Sequence, residues 1–225
     1  MDVIATFAPD PLPLAADFTH DRWRRTPVAT IDRSWQGAPA PPELDTAARL
    51  LWTPTQLWVG FECRFAELDV DIPSDPAVER PGLWERDVCE AFVQSPREPS
   101  ADSYKEFEVA PTGQWCDLAI GRPRVDVDWR WQSGMRTAAA IDAAAATWRA
   151  VMTVPFSAFG VTPKPGDCWR VNLFRVSRLH GMRHFLAYAP TGTPAPDFHL
   201  PERFVSLRFA PSSANLSPAR CVYTV

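Results

Sequence analysis

From Leu57 to Phe65 the residues sort into two parities. Leu57, Val59, Phe61, Cys63 and Phe65 share one, and Trp58, Gly60, Glu62 and Arg64 share the other. A period of two sends successive side chains to opposite faces, so the segment reads as a half-buried strand. The prolines extend this constraint along the chain. There are 24 of them among 225 residues. Proline breaks helix interiors but is tolerated in turns and at strand edges. A chain built this way folds as short strands joined by turns.

The alternation recurs. In "LWERDVCEAFVQS", residues 83–95, Cys89, Ala91 and Val93 form one face, and Val88, Glu90, Phe92 and Gln94 form the other. In 103–111, Phe107 and Val109 oppose Tyr104, Glu106 and Glu108, and 113–121 completes a hairpin with them. Residues 48–65 read as two strands around a tight turn at 53–56. In 136–160 the alanines favour helix by propensity, but Thr153, Val154, Pro155 and Phe156 oppose continuing one. We read a strand near 136–141, a turn at 142–145, a strand at 147–154 and a helical turn at 156–159. Residues 167–178, 184–190 and 203–209 are further strands. This pattern predicts an all-β fold, an antiparallel β-sandwich of immunoglobulin-like or jelly-roll-like type. Its expected organisation is an extended arm over 1–20, one sandwich domain over 21–210 and a loose tail over 211–225. In a sandwich the outer face of a strand meets solvent or a groove, which is where Glu90 belongs.

Composition narrows the function. A net charge of -4 with mixed signs offers no basic stripe for a phosphate backbone, so nucleic acid is not an expected partner. No run of 18 apolar residues exists to span a membrane. The start, "MDVIATFAPDPLPL", lacks a basic leader region, and a cytoplasmic location is expected unless the chain is a piece of a secreted protein. The five cysteines include no CxxC pair, which argues against a zinc site. The acidic loop 66–83 carries Glu67, Asp69, Asp71, Asp75 and Glu79. It reads as a solvated loop, with a structural calcium as the alternative, and no other cofactor is expected. The 10 tryptophans suit cores and also flat apolar partners such as sugar rings.

The run Trp84-Glu85-Arg86-Asp87-x-x-Glu90-x-Phe92 resembles the W-E-x-D-x-x-E-x-F block of family 9 carbohydrate-binding modules and their DOMON-like relatives. Other blocks follow in the family's order: "LLWTPTQLWVGFEC", "YKEFEVAPTG", "TWRAVMTVPFSAFG", "PGDCWRVNLFRV" and "PDFHLPERFVSLRF". The resemblance spans roughly residues 20–210 and implies non-catalytic binding of a mono- or disaccharide, or of a glycan end. It places the first aromatic clamp at Trp84, the sugar-binding glutamate at Glu90 and the second clamp at Phe198. Family members that bind sugar carry an arginine and an asparagine where this chain has Glu108 and Ala110. A pyranose has apolar C–H faces and a hydroxyl rim, so aromatic plates with a carboxylate between them suit it. Glu108, Asn172 and Arg175 are the further candidate contacts, with Arg178 and His199 beside them.

Four other readings of these residues stand open. Glu90 can close an internal salt bridge with an arginine, with Trp84 as edge packing. The sandwich can have lost its sugar and serve as a protein-interaction module. Glu90, Glu106 and Glu108 share a face, and paired carboxylates can cleave glycosides. Finally, some DOMON relatives bind haem through Met and His, and "RLHGMRHF" supplies His180, Met182 and His184, with Met135 elsewhere.

Overall fold

The computed structural model describes residues 2–10, 12–71, 75 and 78–211. In chain order the strands are β1 (Asp2–Phe7), β2 (Ala29–Ile31), β3 (Thr46–Trp52), β4 (Gln56–Arg64), β5 (Val88–Gln94), β6 (Tyr104–Val109) and β7 (Trp115–Arg122). They continue as β8 (Asp126–Asp128), β9 (Arg136–Asp142), β10 (Thr147–Pro155), β11 (Cys168–Leu179), β12 (Met182–Ala187) and β13 (Val205–Phe209). One short helix, α1 (Asp21–Arg25), precedes β2. The hydrogen-bonded path runs β8-β7-β6-β5-β11-β13-β1-β3-β4-β10-β9, with β12 beside β11 and β2 beside β3. This path folds over itself as a β-sandwich. All pairings are antiparallel except those of β1, which runs parallel to both β13 and β3.

The two layers meet through the parities expected of them. Val59, Phe61 and Cys63 of β4 and Ala150 and Met152 of β10 share one core with Cys89, Ala91 and Val93 of β5, Phe107 of β6 and Leu173 of β11. The Sγ atoms of Cys63 and Cys89, on strands in opposite layers, lie 3.5 Å apart. Both thiols are free, as is that of Cys116.

Neither outer face is left bare. On the β3–β4–β10 layer, Leu51, Trp58 and Val151 are covered by Leu12, Phe18 and Trp23. Gly60 lets this cover close: a Cβ there would lie 2.4 Å from the Phe18 ring. On the β5–β6–β7–β11 layer a second apolar cluster joins Val88, Phe92, Tyr104, Leu118, Phe174 and Val176 to Phe198 and Phe204 from the loop before β13.

The N-terminal segment corrects one expectation. It is not an arm outside the domain, because β1 is an interior strand of the sheet. Val3 and Ala5 are buried between β13 and β3. Parallel neighbours are necessarily remote in sequence, so nothing local announces this pairing. The expected tail begins at Pro211 and otherwise lies outside the described residues.

Candidate functional site

The block that opens β5 divides its labour residue by residue. Gly82 adopts a left-handed φ of 91°, a conformation glycine takes without a Cβ penalty. It starts the single 3-10 turn Leu83–Glu85 that carries Trp84. Asp87 anchors the turn. Its carboxylate accepts from the Asp69 amide at 2.6 Å and from the Ser177 hydroxyl at 2.5 Å. The Arg183 guanidinium donates to the Trp84 carbonyl and lies over Phe185, 4.9 Å from the ring centre. Alternation then sends Val88, Glu90 and Phe92 outward.

Above this outer face opens a groove of about 330 Å³, at the small end of the range for ligand clefts. Glu90 and Glu106 form its floor, and Val176, Phe185 and Phe198 form one wall. Trp84 and Trp129 also line it, with ring centres 5.9 Å apart and planes at 48°. Trp84 is partly exposed and Trp129 half exposed. Sequence reading passed over Trp129. The signal was there: Val127 and Trp129 share a parity at the β8 edge, and Val127 also lines the groove.

The floor is unusual in charge. Glu90 of β5 and Glu108 of β6 are directly opposed in the ladder, and Glu106 precedes Glu108 by two on the same face. All three are almost wholly buried. No arginine or lysine forms an ion pair with any of them among the described residues, so the salt-bridge reading of Glu90 does not hold. Burial pushes the Glu90 carboxyl well above the usual range, Glu106 adds to this, and Arg183 opposes it. Glu106 is pushed up to about 7 by burial, against a hydrogen bond from Glu108. Burial, then Glu90 and Glu106, also raise Glu108 well above the usual range. Burial thus favours the protonated form of all three carboxyls, with Glu106 near its midpoint at neutral pH.

His199 stands at the end of this floor. Its Nδ1 lies 2.6 Å from the Tyr104 hydroxyl and 3.8 Å from Glu106 Oε2. Burial lowers its pKa to about 4, although Asp197 works the other way. The ring is therefore neutral at pH 7, and its Nδ1 shares a hydrogen bond with the Tyr104 hydroxyl.

The other expected contacts are dispersed. Phe198 reaches the groove but is stacked on Phe174, with centres 4.2 Å apart and planes at 13°. Only 8% of it is exposed, so it is a wall and not a free plate. Glu108 shares the face of Glu90 and Glu106 but does not line the groove and has no exposed surface. Asn172 is committed to backbone: Nδ2 donates to the Ala189 carbonyl, and Oδ1 accepts from the Leu173 and Ala189 amides. Arg175 faces the wrong way for the groove. It pairs with Cys89 in register and so points into the core. There it donates to the carbonyls of Leu44 and Arg64 and the hydroxyls of Thr46 and Ser177.

In the acidic loop, expected to be solvated with a structural calcium as the alternative, arginines hold two of the aspartates. Asp69 pairs with Arg86 and Arg178, and Asp71 with Arg80. Residues 72–74, 76 and 77 lie outside the described residues. Of the haem candidates, Met135 is buried in the inner core while Met182 is exposed on β12, so these two methionines do not meet at one site.

The β-sandwich thus carries a groove lined by a partly exposed and a half-exposed indole over an acidic floor. The family model described as carbohydrate-binding family 9 matches residues 78–209, and the chain belongs to that family. No curated protein matches it by sequence. Among solved structures it is similar to a candidate carbohydrate-binding protein from Bacteroides uniformis, at 19% identity and a TM-score of 0.72, covering 92% of this chain and 98% of that one. Two further structures are of a family 9 module from Caldicellulosiruptor kristjanssonii. The complex with cellotriose is 12% identical with a TM-score of 0.67, covering 98% and 99%. The complex with glucose is 13% identical with a TM-score of 0.67, covering 97% and 100%. At these identities the likeness is one of fold.

Proposed function

We propose that this groove binds a mono- or disaccharide, or the end of a glycan chain, without cleaving it. The observation that carries the reading is the pairing of two accessible indoles, Trp84 and Trp129, with the Glu90–Glu106 floor in one cleft, in a chain of carbohydrate-binding family 9. The indoles cover an apolar sugar face. The protonated Glu90 carboxyl offers hydroxyls both a donor and an acceptor. The family 9 modules of similar fold were solved with cellotriose and with glucose, which supports a small glucan as the first ligand to try.

The acids are poorly arranged for hydrolysis. A glycosidase sets two carboxyl groups on either side of the scissile bond. Here all three project from one face of two adjacent strands, and Glu108 has no exposed surface.

Titration with glucose, cellobiose, xylose and related sugars, followed by tryptophan fluorescence, tests the reading. Saturable quenching is expected in the wild type. Trp84→Ala and Trp129→Ala should each weaken binding by about tenfold, equivalent to about 1.4 kcal/mol. Wild type that responds to no sugar, neutral or charged, refutes the reading and leaves the interaction-module alternative.

A further inference from the structure

The floor of the groove poses a problem that a neutral sugar does not solve. Glu90, Glu106 and Glu108 each offer a carboxylate oxygen, and these oxygens all lie within 4.8 Å of one another. The three residues are 2%, 3% and 0% exposed. Glu90 Oε1, Glu106 Oε2 and both oxygens of Glu108 are buried with no backbone or side-chain donor in reach. The only hydrogen bonds open to them are with one another through shared protons. Glu108 is the telling member. It does not line the groove, yet both of its oxygens are unpartnered, and it adjoins the other two on the same face, opposite Glu90 in the ladder.

No arginine or lysine pairs with the three among the described residues, and Arg124 at the groove is held by Asp197. Val88 and Phe92 flank Glu90 on β5, and Leu118 and Cys116 face the cluster from β7. Arg183 is engaged with the Trp84 carbonyl and the Phe185 ring. His199 turns to Glu106 the nitrogen already engaged with the Tyr104 hydroxyl, and at 3.8 Å it is beyond hydrogen-bond reach. Other carboxylates around the groove and loop, such as Asp69, Asp71 and Asp197, are matched with arginine. The other buried acids, Asp87 and Asp117, are at least met by hydroxyl and amide donors, which these three lack.

The geometry points to a divalent cation, of the oxygen-preferring calcium class, held by Glu90, Glu106 and Glu108 at the groove floor. Calcium–oxygen distances of about 2.4 Å put any two donors at most roughly 4.8 Å apart. One ion can therefore touch all three carboxylates. An all-oxygen donor set selects Ca²⁺, Mg²⁺ or Mn²⁺ over softer metals, and a flexible set of three suits Ca²⁺ best. Its open positions face the groove, where two neighbouring hydroxyls of a sugar can complete the shell. This last clause rests on the sugar-binding reading, but the cation site itself does not.

Terbium(III), a luminescent calcium surrogate, tests the site directly, because Trp84 and Trp129 stand at the groove as sensitisers. Full-length protein is stripped with chelator and titrated with Tb³⁺ under tryptophan excitation. Saturable emission, displaced by Ca²⁺, is expected. Glu108→Gln should weaken it at least tenfold, and Glu62→Gln, at a surface pair with Arg149, should leave it unchanged. Ca²⁺ should also raise the melting temperature of wild type and not of Glu108→Gln. Should Glu108→Gln fail to fold, Glu106→Gln serves in its place. Absence of sensitised emission, or equal emission from wild type and the glutamine variant, overturns the proposal. Sugar titrations with Ca²⁺ and with chelator separate the two readings. Protein that binds sugar but no ion overturns the cation site alone. Protein that binds the ion but no sugar supports the site and overturns the sugar reading.

Discussion

Arg175 shows how one side chain's facing decides its role. Arginine near a presumed sugar site reads as a ligand for hydroxyls, yet the parity of β11 sends this one inward. With no exposed surface, its guanidinium joins the carbonyl ends of two segments, Leu44 and Arg64, to Thr46 and Ser177. Ser177 passes the connection to Asp87, the residue that anchors the turn carrying Trp84. The inner network thus positions the groove's aromatic from the far side of the sheet. Arg175→Ala should destabilise the fold by about 3–5 kcal/mol, because it strands buried acceptors. Chemical denaturation measures this, and a loss under 1 kcal/mol would show that the network is not structural. Asn172→Ala belongs to the same class, since its three hydrogen bonds all end on backbone.

At the scale of elements, the strands are where the sequence was most legible. The alternation in β4, β5 and β6 sorted inner from outer residues correctly, and the W-E-x-D-x-x-E-x-F block placed Trp84 and Glu90 on one groove. What stayed hidden was non-local. The parallel partners of β1, the stacking of Phe198 on Phe174 and the capture of Asn172 by Ala189 all join residues far apart in the chain or across a layer. Gly60 marks the same limit, for it reads as an ordinary member of an alternating strand. Its lack of a side chain is what allows Phe18 and Trp23 to lie against β4. Gly60→Ala should force the Phe18 ring away and cost about 1–3 kcal/mol, the usual penalty of overpacking. A thermal melt reads the loss, and the environment of Trp23, reported by near-ultraviolet circular dichroism, should change with it. An unchanged melt and spectrum would mean that the N-terminal cover is not packed as described.

For the molecule as a whole, the fold keeps opposite charge logics on the two sides of one sheet. The inner side buries a cation and satisfies it with carbonyls, and the outer side buries acids and satisfies them with protons. That asymmetry sets the pH dependence of stability. Glu106 is neutral in the folded protein up to about 7, against about 4.3 in an unfolded chain. A raised carboxyl contributes stability that is complete below the unfolded value and is lost as pH rises through the folded one. Glu90, Glu108, Asp87 and Asp117 are raised too, each by burial first. His199 acts at the other end. With its pKa lowered to about 4, its contribution is intact above about 6.5 and is lost as pH falls from there through 4. Chelator-treated protein should therefore melt lower at pH 8 than at pH 5.5. Glu106 alone accounts for a difference of about 2 kcal/mol between these two pH values, or roughly 4–8 °C for a domain of this size. Glu106→Gln should flatten the alkaline side of the curve, and His199→Gln the acidic side. Because a bound cation replaces the protons, added Ca²⁺ should recover much of the loss at pH 8 and little at pH 5.5. Melting curves across this range, with and without Ca²⁺, read all three effects. A melting temperature that rises steadily from pH 5.5 to pH 8 would show that the buried acids are ionised and paired by some other means.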